Sequence, residues 1–383
     1  MKIDFVTIVL SVGIFQGIFL TIFLLFSNEV AGKSNKILAG FIFSFTLLTL
    51  NDLLVETKAL LDFPNLFLLL DPLIFVLGPL AYFYIRDLVT EQKALRLKDL
   101  FHFLPAAFLW IILIPIYLQS TTSKENLILE SYSTLGEDTD FILIFAAIHL
   151  LVYFIISIAG ITKYQQEIKE NFSFEEKINL KWLKYFLIIT SVLWIFFTIQ
   201  VLFQFNQLKS INDLLFTISM YLVGYYGLLR SPIKIDVKDK TPTIKERPSK
   251  FDSRKKYASS PLTEEDSNRI LIKLKHEMVE KKYYLKNDLK LSELSEYIKI
   301  PSYQISQVIN EKLNKNFFDF INDYRVEEFK HRLADDKFNN YTILAIGLDS
   351  GFNSKASFNS VFKKSTGITP SVYRDKLLTE ESI

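Results

Sequence analysis

A chain of 383 residues is long enough for two or three domains, and it holds no Cys and only four His. Disulfides, thiolate metal sites and a Cys nucleophile are therefore excluded, and no two His fall within four positions of each other to make a local metal motif. Half the residues are hydrophobic, 35 of them Phe, yet 22% are charged, so the two characters must be segregated along the chain.

Reading from the N-terminus, seven mainly apolar runs lie near 5–26, 37–55, 66–85, 101–118, 141–161, 183–205 and 211–229. A helix needs about 20 apolar residues to cross hydrocarbon, so these runs predict a seven-helix transmembrane bundle over 1–230. The alternative is a very apolar soluble helical domain. The first run is too long for a signal-peptide core and lacks a small-x-small cleavage site, which favours a retained span. The loops after the first, third and fifth runs carry ten Lys/Arg, against four on the other side (Lys2, Lys58, Lys124 and Lys209). The loop 119–140 is acidic. Positive charge collects on the cytoplasmic side, so a multi-pass protein of the cytoplasmic (inner) membrane is expected. Its N-terminus would lie outside, and everything after Arg230 in the cytoplasm.

Polar residues inside these runs are few. "LLLDPLIFVLGPLAY" places Asp71-Pro72 and Gly78-Pro79 in the third run. An intramembrane carboxylate beside a helix-bending Pro marks Asp71 as a candidate signal site, with wetting at the outer helix end as the alternative. His102 and His149 read as hydrogen-bonding residues of the bundle interior. No paired acid/base constellation, Gly-rich phosphate loop or metal motif appears, so a non-enzymatic chain without cofactor is expected.

From 231 to 261 the apolar runs stop. The Lys-, Pro- and Ser-rich stretch reads as a flexible linker spanning on the order of 30 Å as a coil. Charge divides at the same point. Residues 1–230 carry 16 Lys+Arg against 19 Asp+Glu, a balance of −3, and residues 231–383 carry 28 against 23, a balance of +5.

Amphipathic helical periodicity returns over 262–378, ahead of a short tail at 379–383. Ile270, Leu271, Leu274 and Met278 share one face of the first helix, with Thr263 and Asp266 forming an incomplete capping box. Two segments then align with each other, near 291–314 and 342–367. Each predicts helix, tight turn, helix. A small residue (Ser295, Gly347) would let the second helix cross closely. The turn position four residues on favours φ > 0, which suits Gly351 and suits Lys299 less well. Ile305, Val308, Ile309 and Phe358, Val361, Phe362 would form the buried stripes. This is the layout of two helix-turn-helix units joined by a helix ("FFDFINDYRVEEFKHRLAD"), so the fold class expected is all-α throughout.

The ordered series "LSELSEYIKI", "SYQISQVIN", "FFDFINDYRVEEFK", "TILAIGLDSGF" and "SFNSVFKKSTGITPSVYR" resembles the DNA-binding domain of AraC-type transcriptional regulators, over roughly 30% of the chain. Membrane-anchored members exist as a type in that family, and this architecture resembles them. Lys299 and Pro301 depart from its usual turn Gly and Ser/Thr cap. The resemblance implies that side chains near the start of each second helix face bases: Tyr303, Ser306 and Gln307 in the first unit, and Lys355, Ala356, Ser357 and Ser360 in the second. The periodicity puts the same residues on the free faces. Gln suits adenine and Lys suits guanine in the major groove. Ser302, Ser354, Lys363, Lys364 and Arg374 are the candidate phosphate contacts. For Ser354 the plain alternative is a helix cap, and for Lys363 and Lys364 a solvated helix end.

The function expected is a membrane-tethered, sequence-specific transcription regulator that couples a membrane or extracellular signal to promoter binding. The alternative is a multi-span receptor or transporter whose helix-turn-helix domain is a regulatory or docking module. The partners expected are double-stranded DNA and the lipid bilayer, with RNA polymerase, an unknown signal ligand and a second copy of the chain as further candidates.

Overall fold

The structure is a computed structural model that describes residues 5–26, 33–90, 96–134, 141–175, 178–203, 211–212, 214–219, 222, 226 and 262–380. The described residues are helical throughout, with a single isolated antiparallel bridge between Phe172 and Lys290. Two compact units emerge. One is Met1–Tyr164 with Leu180–Pro232, and the other is Gln165–Asn179 with Ile233–Ile383. The linker expected at 231–261 lies outside the described residues, and the seventh apolar run, 211–229, lies partly outside them.

Through the first unit, α1 (Phe5–Phe26), α2 (Lys33–Glu56), α3 (Ile74–Val89), α4 (Leu104–Tyr117), α5 (Thr121–Thr134), α6 (Phe141–Asn171, of which the residues from Gln165 on belong to the second unit) and α7 (Lys181–Leu202) follow in order. Six helical stretches among the described residues are long and apolar enough to cross a membrane. They correspond to the first six runs of the sequence. Asp71–Leu73 forms a 3-10 turn leading into α3, so Asp71 sits at a helix start, and Pro79 lies inside α3. Leu24, Ile42, Leu77, Leu150, Phe154 and Leu187 anchor the core. The outward faces are also apolar, with Phe15, Phe108, Ile111 and Ile155 exposed. A helix apolar on all sides belongs in a core or a bilayer. The segment read as an acidic loop, 119–140, instead contains α5. That helix is too polar to register as an apolar run, and it is held by Ile128 and Lys124, one turn apart and both buried, with Lys124 Nζ donating to Asn65 Oδ1 at 2.8 Å.

In the second unit, α8 (Glu264–Lys281) begins at Thr263, whose Oγ1 accepts from the Asp266 N–H at 3.1 Å. Ile270, Leu274 and Met278 are buried and Leu271 partly so, as the periodicity predicts. Then come α9 (Leu291–Ile298), α10 (Ser302–Leu313), α11 (Phe317–Leu333), α12 (Ile343–Asp349), α13 (Lys355–Thr366) and α14 (Pro370–Glu380). Helix α11 serves two cores. Phe317, Phe320 and Ile321 pack with α8, α9 and α10, while Val326 and Phe329 pack with Ile346, Phe352, Phe358 and Phe362.

The two turns solve one problem with different residues. Lys299 adopts φ 53° and Gly351 φ 97°, so both turns need a left-handed residue. For Lys299 the cost is on the order of 1 kcal/mol. Gly347 meets the close-crossing expectation: a Cβ there would lie 2.8 Å from the Phe358 ring. At the matching position of the first turn, Ser295 Oγ donates to the Ile300 carbonyl at 2.6 Å.

Gly351 is also the tightest glycine of this unit. A Cβ would stand 2.3 Å from the Tyr284 carbonyl oxygen and 3.0 Å from Arg325 Nε. Gly351→Ala is therefore expected to destabilise the second unit by roughly 3 kcal/mol or more, combining left-handed strain with a backbone clash. Gly367→Ala, at φ 81° with nothing within 4 Å, should cost only the strain, about 1–2 kcal/mol. Chemical denaturation of the two variants checks the order.

Candidate nucleic-acid interface

The candidate interface rests on α10 and α13, each the second helix of a pair joined by a short turn. Residue Ser354 caps α13, its Oγ accepting from the Ser357 N–H at 3.1 Å. Phe358 and Phe362 are 1% and 0% exposed, which rolls the opposite face outward. Lys355, Ala356 and Ser360 are exposed there, and Ser357 is half-buried. Asn359, not among the candidates from sequence, is exposed on the same face. Its signal was its spacing, three residues after Ala356, together with an amide that suits adenine.

Helix α10 differs. Pro301 occupies its N-cap and offers no side-chain acceptor, but its carbonyl accepts from the N–H groups of Gln304 and Ile305. Tyr303 is exposed and Ser302 and Ser306 are half-buried, with Asn310 Nδ2 donating to Ser306 Oγ at 3.3 Å. Gln307 corrects the sequence reading: it is 5% exposed, not on a free face. Its Nε2 donates to the Glu311 carboxylate at 3.2 Å, and its buried Oε1 has no hydrogen-bond partner among the described residues. The apolar stripe of Ile305, Val308 and Ile309 marks one face of α10 that must be buried and says nothing of its flanks. Helix α10 also packs against α8, where Lys312 pairs with Glu264.

Of the candidate phosphate contacts, Lys363 is exposed. Lys364 Nζ lies 2.7 Å from Asp319 Oδ1, and Arg374 Nη2 lies 3.1 Å from Asp375 Oδ1. Both pairs are largely exposed, where such contacts contribute little and exchange readily for other anions. Asp71, in the other unit, accepts from Asn51 Nδ2 at 3.2 Å. The two residues line a cavity of ≈ 220 Å³ together with Asp52, Thr49, Trp194 and Phe197.

Between the two helix pairs lies a polar centre that no sequence motif marks. Arg325, on α11, is 1% exposed and carries no direct carboxylate partner among its hydrogen bonds. Its Nε donates to the Tyr284 carbonyl (2.8 Å) and its Nη2 to the Lys286 carbonyl (2.7 Å) and Ser173 Oγ (3.0 Å). Its Nη1 donates to the Ser173 carbonyl (2.8 Å) and Asn322 Oδ1 (3.2 Å). Burial pushes the guanidinium down to about 9, so it remains charged at neutral pH. One turn on, Glu328 accepts from Arg332 Nε at 2.8 Å, Tyr284 OH at 3.0 Å and Lys282 Nζ at 3.1 Å. Burial alone would raise its carboxyl, but these three donors outweigh burial and hold it below the usual carboxylate range.

Two outcomes follow. A carboxyl depressed in the folded state contributes stability that is present above its unfolded pKa of about 4.3 and lost as pH falls through the folded value. Acid titration of unfolding should therefore be shallower in Glu328→Gln than in the parent chain below about pH 5. Gln307→Met removes a buried, unpartnered carbonyl and should leave stability unchanged or raise it by about 1 kcal/mol, with DNA affinity within about twofold of the parent. A tenfold loss of affinity would instead make Gln307 a base contact.

Comparison with known proteins places this geometry. The helix-turn-helix domain family model matches residues 294–376. Two uncharacterized HTH-type transcriptional regulators of Staphylococcus aureus, from strains COL and MSSA476, are each 41% identical to this chain over 87 residues. The match spans 23% of this chain and 11% of each relative. A solved structure of a protein with unknown function from Listeria innocua aligns over 30% of this chain and 97% of its own, at 26% identity and a TM-score of 0.24, which supports no statement of function. The C-terminal region of this chain thus carries a helix-turn-helix domain of the AraC type, similar in sequence to HTH-type transcriptional regulators.

Proposed function

We propose that the chain is a sequence-specific DNA-binding transcription regulator tethered to a membrane by its apolar unit. One observation carries the DNA-binding reading. The matched region 294–376 falls on two helix pairs, and α13 opens with an exposed row of Lys355, Ala356, Asn359 and Ser360 over a phenylalanine core. Each pair then acts as a reading unit. Lys355 and Asn359 are suited to guanine and adenine edges, and Ala356 to a thymine methyl. Tyr303 and Ser306 read from α10 and Ser357 and Ser360 from α13, while Ser302, Ser354, Lys363, Lys364 and Arg374 hold phosphates. Binding by Lys364 exchanges Asp319 for a phosphate oxygen.

The membrane reading is supported by the six apolar helices and by the exposed Phe and Ile on their outward faces. The bias of Lys/Arg between alternate loops supports an N-terminus outside and a DNA-reading unit in the cytoplasm. The cavity beside Asp71 and Asn51 offers a place for a signal ligand.

The test is selection of binding sites from random DNA by the full-length chain in lipid nanodiscs. A recurring site is expected, with affinity falling steeply with salt. Lys355→Ala and Asn359→Ala should each cost about 1–3 kcal/mol and relax preference at one position. Lys363→Ala should weaken all sequences alike and reduce the salt slope by about 0.9. A selection that yields no recurring site would refute the DNA-binding reading. A reporter fused after Arg230 that reads out as external would refute the orientation.

A further inference from the structure

The C-terminal unit contains a stretch from far upstream in the chain, Gln165–Asn179. It continues directly from the apolar part of α6, which ends at Asn171. Phe172 pairs with Lys290 in an isolated antiparallel bridge, and the Ser173 N–H donates to the Leu289 carbonyl at 3.1 Å. Residue Ser173 is 1% exposed, and both its carbonyl and its hydroxyl accept from Arg325. A guanidinium has five N–H donors. In this structure all five have acceptors, and Ser173 supplies two of them. The others come from the Tyr284–Lys286 turn ahead of α9 and from Asn322. Gly351, at the turn between α12 and α13, lies against the same Tyr284 carbonyl and Arg325 Nε. The stretch around Ser173 therefore ends on the residue where both helix pairs and their joining helix meet.

We propose that the 165–175 stretch is a regulatory strap, and that its docking on Arg325 holds the two helix pairs in the relative setting that reads DNA. Withdrawal of Ser173 leaves two of the five guanidinium donors without protein acceptors, and donors left unmade in a buried site are costly enough to favour repacking around Arg325. The repacking would fall on α11, which carries residues of both cores. Docking favours binding and does not block it, because Tyr303, Lys355, Ala356 and Ser360 stay exposed with the strap in place. A strap that fixes the setting of two reading heads raises affinity by preorganisation. Since it continues from α6, a change at that apolar helix reaches the reading unit without passing through 231–261. This deepens, and rests on, the DNA-reading proposal above.

The chain has no Cys, so one engineered pair is unambiguous. Phe172→Cys with Lys290→Cys stands at a non-hydrogen-bonded antiparallel pair, where Cα atoms approach to about 4.5 Å, close enough for a disulfide. The full-length chain in nanodiscs is oxidised, and affinity for its selected DNA site is measured before and after reduction. Ser173→Lys, which sets a cation against Arg325, and Ser173→Pro, which deletes the bond to Leu289, are measured beside it. Far-UV circular dichroism verifies that both remain helical. The pair is expected to cross-link where Phe172→Cys with Glu280→Cys does not. The locked chain should bind at least as tightly as the parent, and the two Ser173 variants about tenfold more weakly. Absence of cross-linking above the control, or folded Ser173 variants that bind like the locked chain, overturns the strap alone. A parent chain that binds no specific DNA overturns the DNA-reading proposal and the strap with it.

Discussion

A cation buried at 1% exposure with no carboxylate in its hydrogen-bond shell constrains everything around it. Arg325 is held by three backbone carbonyls, one side-chain amide and one hydroxyl. Carbonyl acceptors are fixed by the fold, so each must be delivered by a chain segment in the right place. The Tyr284–Lys286 turn, the Ser173 stretch and α11 itself therefore have to converge. Gly351 follows from the same constraint, since a side chain at that turn would strike the carbonyl that Arg325 Nε needs. The planar five-donor fork of Arg suits this node, and a Lys ammonium, with three donors on one atom, does not.

Around that node the two helix pairs are alike in backbone and unlike in surroundings. Both turn through a left-handed residue. The first pair shares its core with α8, and the second with Tyr373 of α14 beside Phe362. Helix α10, which packs against α8, has less of its surface open than α13, and Gln307 is buried on it. The exposed row is longer on α13, where Lys355, Ala356, Asn359, Ser360 and Lys363 all reach solvent. If DNA is read as proposed, the second pair carries more of the base contacts.

Much of this was legible beforehand, for reasons specific to each element. The buried stripes of α8, α10 and α13 follow from i, i+3 and i+4 spacing, which is local and survives any tertiary arrangement. The apolar helices follow from run length alone. Gly347 and Gly351 stood at positions where a helix crossing and a positive φ were expected. Helix α5 escaped because a short helix tied down by one Lys and one Ile has no run to detect. Gln307 was misplaced because an amphipathic stripe shows which face must be buried, but not whether a neighbouring helix covers the flank.

The order of apolar and amphipathic helices, the two repeated helix pairs and their chemical resemblance were determined by sequence alone, because periodicity and motif spacing are properties of contiguous residues. The role of Arg325 and Ser173 was decided only by tertiary structure. They are separated by 152 positions, and neither belongs to a motif. A buried charge acquires meaning from the acceptors around it, and three of those acceptors are backbone carbonyls, which every residue possesses and no sequence pattern can mark.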